Sequence, residues 1–415
     1  MTRPAPSDET DPHSASGGSA TTPGSTSGSA SSTEPGTESG SGSAARDVRR
    51  TGALRTPTMA EVSVGRLKHN VAVVRRRLGD AGLIAVVKAD AYGHGATRIA
   101  RELAALGIEW FGVATVEEAI ALRRSGIEGR ILVMTAPLEE HLDAFPLYEL
   151  DATVSSASMA DAIINAGGRV AVHLKVDTGM GRIGVSAGEA EEVVRRLEKA
   201  PHVDIAGIWT HFASADEQDL AFTYEQLDRF DAVVARVGDA AAHIHVANTA
   251  AALRVPESLA YGRAMARIGL GLYGYTGLDD SDGHDELLPV MTVTSRVVHV
   301  KTVEPGTPIS YGQGWTATRT TRIATVGAGY ADGYHRALSN RSSVGIHGDR
   351  YPVTGAVCMD TFMVDLGPDS DVSPGDVVVL FGEGGPDAAE LGSRGDTIPY
   401  EILTSVSGRV PRLYV

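Results

Sequence analysis

A lysine that emerges from an apolar strand is a starting point for carbonyl chemistry, and Lys88 directly follows the run Leu83 to Val87. Its amine attacks a carbonyl only when neutral, and against a reference pKa near ~10.4 that requires burial or neighbouring cations. A strand end inside a barrel can supply both. Taken alone, a lysine in this place is more often snorkelling or ion-paired. Other reactive side chains carry the same double reading. Tyr311, in PISYGQG, reads as a turn tyrosine before a glycine, and Arg267 as an ion pair at a strand start. Lys175 and Arg182 stand seven residues apart across the Gly-rich KVDTGMGRIG and read as two surface cations beside a turn. His211 reads as a structural histidine at a strand end.

The elements that must position these groups follow from hydrophobic period. Between residues 65 and 275 short apolar runs alternate with longer amphipathic ones such as GATRIARELAAL and TVEEAIALRRS, which is the pattern of repeated strand-helix units. The strand candidates are LIAVVK, WFGVAT, RILVMT, ATVSS, VAVHLKVD, IAGIWTHF, IHVANT and RIGLGLYG. Eight such strands predict a closed (β/α)8, TIM-like barrel. Where these strands carry a polar group it lies toward the C-terminal end, at Lys88, Lys175, Asp177, His211, Asn248 and Thr249. That rim is where such barrels place active sites. From about residue 288 the period becomes near-alternation, as in MTVTSRVVHVKTV, TRIATVGAG and GDVVVLFG, predicting a mostly β C-terminal domain.

The predicted organisation is a disordered tail over residues 1–52, a barrel over 57–287 and a β domain over 288–415. The tail is dominated by Ser, Gly, Thr and Pro and has too little apolar surface to offset the entropy of ordering. Its six acidic and four basic residues hold −2 of the formal −15, leaving −13 on the remainder, a charge that argues against nucleic acid as a partner. No run approaches the roughly eighteen apolar residues of a membrane span. The pair Arg49-Arg50 is not followed by an apolar stretch of export-signal length. A single cysteine, Cys358, forms no internal disulfide, and a reducing cytoplasm fits. No metal site is expected. Met59 stands just before the patterned region and offers a second start for translation.

Nine blocks in order, KADAYGHG at Lys88, KVDTGMGRIG at Lys175, THF at His211, ANTAA at Asn248, RIGLGLYG at Arg267, ISYG at Tyr311, GYADGY at Tyr330, CMD at Cys358 and IPYEIL at Tyr400, give the chain its resemblance to the alanine racemase family from about residue 57 onward. The resemblance implies an isomerase that uses pyridoxal 5'-phosphate (PLP) to interconvert L- and D-alanine by two bases. It implies that Lys88 holds the cofactor and serves as one base, and that Tyr311, from the partner subunit of a homodimer, is the other. Removing a proton from one face of a planar centre and returning it on the other requires two groups, which gives Tyr311 a reason. Arg267 would face the pyridine nitrogen, oriented by His211. A guanidinium keeps its proton, so the ring nitrogen stays unprotonated and the electron sink is weakened.

The same resemblance assigns the phosphate to Tyr92, Tyr400, Thr249 and the backbone near Gly269 and Leu270, with Asn248 holding that loop. Thr249 stands where the family commonly has serine. Arg182 would contact the cofactor's phenolic oxygen and the substrate carboxylate, with Lys175, often carbamylated in the family, fixing its orientation. Met359 would offer its backbone N–H to substrate, and Tyr330 would narrow an entrance whose outer part includes Asp216 and Arg336. Ala356 departs from the arginine often found two residues before Cys-Met-Asp, while Cys358 reads as packing. The EVSV segment at Glu61 would join the β domain. The implied role is D-alanine supply for peptidoglycan. Three alternatives stay open: a serine or broad-specificity racemase, a non-catalytic PLP-binding barrel protein, and a barrel-type decarboxylase. The decarboxylase would place a carboxylate where Arg267 stands.

Overall fold

The structure is a computed structural model that describes residues 56–237, 240–278 and 286–415. The tail expected over residues 1–52 lies outside the described residues. Strand β1 (Met59–Val62) leads into a helix over Val64–Leu78, whose N-terminus is capped by the Ser63 hydroxyl accepting from the Arg66 amide at 3.3 Å. The buried Asn70 on this helix donates to the carbonyls of Leu272 and Leu288, at 3.1 and 2.8 Å, fastening it to the segments that follow the barrel's last strand.

Eight parallel strands form the barrel: β2 (Gly82–Val86), β3 (Trp110–Val113), β4 (Arg130–Val133), β5 (Asp151–Val154), β6 (Val170–Asp177), β8 (Val203–Trp209), β9 (His243–His245) and β10 (Met265–Ile268). A short β7 (Val185–Ser186) runs beside the end of β6. The ladder runs β10-β2-β3-β4-β5-β6-β8-β9, and a bridge between Ile244 and Ala264 brings its two edges together, so the ring is nearly closed. The strands read as continuous apolar runs because both faces are covered, one by the barrel interior and one by helices such as Ala96–Ala105 and Val116–Arg124. The eight strand candidates all appear. The last stops at Ile268, where Gly269 turns the chain into a 3-10 helix over Leu270–Tyr273.

The second sheet is built on the long β11 (Met291–Val303), whose apolar residues alternate as one face is buried. Its first half pairs with β1 and with β18 (Val377–Phe381), and beyond an irregularity at Val297 its second half pairs with β14 (Thr321–Val326). The order β14-β17-β16-β15-β18-β11-β1-β19, with β15 (Ser343–Ile346), β16 (Asp349–Thr354), β17 (Phe362–Gly367) and β19 (Arg412–Tyr414), is antiparallel except for β1 and β19. A small hairpin of β12 (Pro308–Ile309) and β13 (Trp315–Thr316) carries the Tyr311 turn. One buried apolar core runs through barrel and sheet alike, and helix Pro399–Ser405 packs on the loop after Lys88, bringing Tyr400 to the barrel rim.

Candidate active site

Lys88 opens a turn of unusual hand. Ala89, Asp90, Ala91 and Tyr92 all have φ between 51 and 54°, and Gly93 continues at 80°. Left-handed helix costs an L-residue about 1–2 kcal/mol, so four in succession cost on the order of 4–8 kcal/mol and need support from outside. Buried His94 supplies part of it, its Nδ1 lying 3.0 and 2.9 Å from the carbonyls of Ala91 and Tyr92 and therefore carrying the proton. The Asp90 carboxylate accepts from the Ala96 amide at 2.7 Å, and Glu118 accepts from the Ala89 amide at 2.6 Å. From the β domain, Arg412 donates to the Gly93 carbonyl at 3.0 Å and Tyr414 to that of His94 at 2.9 Å. A side chain at Gly93 would collide with the Leu403 carbonyl, so glycine permits this docking.

The turn swings Tyr92 back beside Lys88 into a cavity of about 400 Å³ at the carboxyl ends of the barrel strands. Arg182, His211, Asn248, Thr249, Arg267, Gly269, Leu270 and Tyr400 line the same cavity. The residues missed from sequence are Val86, Ala114, Met134, Thr135, Ile183 and Trp209, most of them small or apolar, which carry no motif signal. Burial lowers the pKa of Lys88, helped by Arg182 and Arg267 and opposed by Glu118, so its neutral amine is more accessible than in an ordinary lysine.

Arg267 is locked in place. Its Nη1 donates to the carbonyl of His245 and lies 3.2 Å from that residue's Nδ1, while Nη2 donates to the carbonyls of Thr210 (2.8 Å) and Val246 (3.0 Å) and lies 3.2 Å from His211 Nδ1. None of these bonds uses Nε, which stays as the guanidinium's uncommitted donor. Burial and then Arg182 pull its pKa down, to about 9, so the charge persists at neutral pH. The two histidines respond oppositely to solvent-exposed ones: burial and surrounding cations hold His211 and His245 neutral.

Behind Arg267 a buried relay fixes which nitrogens carry protons. With His245 Nδ1 facing a guanidinium donor, its Nε2 must bear the hydrogen that bridges 2.8 Å to His173 Nδ1. His173 Nε2 is then the donor to Asp151 at 3.1 Å, and Arg130 pins the same carboxylate oxygen at 2.8 Å. The relay escaped the sequence reading, although a signal existed: His173 and Lys175 are two apart on β6 and so share the barrel-interior face.

The remaining predicted groups fall into three places: Tyr92, Tyr400, Asn248, Thr249 and Gly269 at the cavity, Lys175 buried outside its lining, and others on a separate patch. Tyr92 packs between Tyr273 and Tyr400 with rings tilted by 31° and 43° and centroids 4.8 and 5.9 Å away, and burial raises the Tyr400 phenol to about 12, with Asp216 adding to the effect. A Cβ on Gly269 would strike the Tyr92 hydroxyl, so the backbone there approaches as only glycine can. Asn248 caps helix Thr249–Arg254 by accepting from the Ala251 amide at 2.9 Å, and Thr249 Oγ1 accepts from Gly271 at 3.3 Å. Lys175 is 1% exposed, with its ammonium nitrogen 5.2 Å from the Trp209 ring centre; burial and then Arg267 lower its pKa to about 7. The Trp209 indole N–H is buried without a partner among the described residues.

Tyr311, Tyr330 and Met359 do not line this cavity. They stand out from the β domain, 76%, 43% and 53% exposed, on three loops laced together. Ser310 donates to the Ala356 carbonyl at 2.7 Å, and the Tyr330 and Ala331 amides each reach, at 3.0 Å, the carbonyls of Cys358 and Met359. A side chain at Gly329 would strike those same carbonyls. Cys358 sits half-buried beneath the patch, against Ser310 at 3.5 Å, and Arg336 begins a short 3-10 turn nearby in sequence.

Similarity to known proteins follows the same two halves. The family models for the alanine racemase N-terminal and C-terminal domains match residues 62–277 and 290–414. An alanine racemase of Chlorobaculum tepidum is 42% identical over 386 residues, covering 90% of this chain and 100% of that protein. The solved alanine racemase of Streptomyces lavendulae superposes with a TM-score of 0.80 at 35% identity, covering 88% of this chain and 98% of that one. That of Bacillus anthracis, solved with bound L-Ala-P, gives 0.80 at 32% identity over 88% and 96%. The chain belongs to the alanine racemase family and is an enzyme of the racemase class.

Proposed function

We propose that this enzyme interconverts L- and D-alanine with PLP held on Lys88, in a homodimer whose sites each join one barrel to the partner subunit's Tyr311, Tyr330 and Met359. The observation that carries the reading is the convergence in one cavity of a buried lysine of lowered pKa, a locked guanidinium and a hydroxyl-lined, glycine-narrowed corner. This donor set fits PLP. Lys88 would take the aldehyde, Arg267 Nε would face the pyridine nitrogen, and Tyr92, Thr249, Tyr400 and the Gly269–Leu270 backbone would hold the phosphate.

When bound, the cofactor would withdraw electron density from the substrate's Cα–H bond and make that proton removable. The chain's own groups divide the rest. Lys88, freed when substrate takes its place, moves the proton of one enantiomer; the partner subunit's Tyr311 moves that of the other. Arg267 keeps its proton and so leaves the ring nitrogen unprotonated, which favours rapid return of the proton to Cα over transamination. Arg182 orients the substrate carboxylate with the backbone N–H of the partner subunit's Met359, and Lys175 steers Arg182. At a pKa of about 7, Lys175 has the neutral fraction that carbamylation requires. Tyr330 narrows the entrance, where Asp216 and Arg336 form the outer part. Arg267 in place of a carboxylate disfavours the decarboxylase reading, and the β domain with Tyr311 disfavours a non-catalytic carrier.

A single-cysteine chain, with no described helix long and apolar enough to cross a membrane, is consistent with action in the cytoplasm, supplying D-alanine for peptidoglycan. Incubating the purified full chain with PLP and L-alanine, followed by chiral analysis, should yield D-alanine approaching an equal mixture. L-serine should turn over more slowly, since one side-chain atom is worth about 1–3 kcal/mol in a small pocket. Bound PLP without D-alanine would contradict the assignment.

A further inference from the structure

Glu118 is the third residue of helix Val116–Arg124, and its amide and the Thr115 hydroxyl form half of a capping box at 3.3 Å. A capping box asks one carboxylate oxygen to serve its own helix start. Here Oε2 does that, accepting from the Ala114 and Thr115 amides at 2.7 and 3.3 Å. Oε1 leaves the helix altogether and accepts from the Ala89 amide at 2.6 Å, the first residue of the left-handed turn and the neighbour of Lys88.

We propose that Glu118 is a positioning residue for the cofactor lysine: its carboxylate bridges two strand-helix loops and anchors the left-handed turn that aims Lys88 into the cavity. The same anion opposes what burial and the cations Arg182 and Arg267 do to the Lys88 amine, favouring its charged form. Neutral glutamine cannot substitute, because its one acceptor oxygen serves either Ala89 or Ala114 and its NH2 faces the other donor.

The catalytic meaning rests on Lys88 being the cofactor lysine, but the test uses the cofactor-free full-length chain, so either reading can fail alone. Five lysines make reductive 13C-methylation assignable by NMR. In Glu118→Gln, Lys88 should titrate at lower pH than in the unmodified sequence, and the Ala89 amide should exchange with solvent roughly tenfold faster or more, the worth of a charge-assisted hydrogen bond. Thr115→Ala weakens the same helix start and should move neither. If Glu118→Gln does not fold, the Ala89 amide proton of the unaltered chain should follow the Glu118 carboxyl titration. Unchanged Lys88 titration and Ala89 exchange in Glu118→Gln, equal effects in Thr115→Ala, or an Ala89 shift indifferent to Glu118 would each overturn the proposal.

Discussion

The proposed mechanism asks two side chains, Lys88 and Tyr311, to move protons near neutral pH, although lysine and tyrosine ordinarily hold theirs to pH ~10. Lys88 has burial and two cations to lower its amine, whereas Tyr311 is 76% exposed and, in the proposed dimer, would take its surroundings from the partner subunit. If the two serve opposite faces, Tyr311→Phe should impair proton removal from one enantiomer more directly than from the other. Running both directions in deuterated water would show it as unequal incorporation of solvent isotope; equal and negligible effects would remove Tyr311 from the base role. Lys88, Tyr92, Arg267 and Tyr400 were legible because motif spacing marks them. Trp209 and Met134 were not, since an aromatic or thioether on a barrel strand is indistinguishable in sequence from core.

At the scale of elements, strand positions and the late change to alternating period could be read because burial on two faces or one imposes different periods. The end of β10 and the left-handed turn could not. Gly269 gives no sign of which way the chain bends, and Ala-Asp-Ala-Tyr carries no glycine to announce positive φ; tertiary hydrogen bonds from Glu118, Arg412 and Tyr414 impose it. The buried histidines have a consequence in solution. His245, His211 and His94 are held neutral by burial, His94 at about 4, below the unfolded value near ~6.5. Folded-state pKa values that lie lower mean stability fully present above pH ~6.5 and lost as pH falls toward the folded values. Urea denaturation should therefore lose about 2 kcal/mol from His94 alone between pH 7 and 5, each pKa unit being about 1.4 kcal/mol. A flat profile over that window would contradict neutral burial. Protonating His245 would turn an N–H toward Arg267, so the locked guanidinium should persist through this window and be lost only at lower pH, where the folded histidine itself takes up a proton.

At the scale of the whole molecule, the chain carries a cavity holding Lys88 and, apart from it, an exposed patch with Tyr311, Tyr330 and Met359, which the proposed dimer would bring together. Hydrogen bonds to the Cys358 and Met359 carbonyls tie the loops of this patch together within the chain, which would lower the ordering cost of the proposed shared site. Composition carried none of this; the expectation of shared sites follows from the family resemblance. The central claim is that Lys88 of one subunit and Tyr311 of the other complete a single site. The direct test mixes separately purified Lys88→Ala and Tyr311→Phe chains, each strongly impaired alone, under conditions that exchange subunits. A hybrid dimer would then hold one site with both residues intact, and racemisation should reappear at about half the per-dimer rate of the unaltered enzyme. Hybrid dimers, verified by mass, that stay as inactive as their parents would contradict the account.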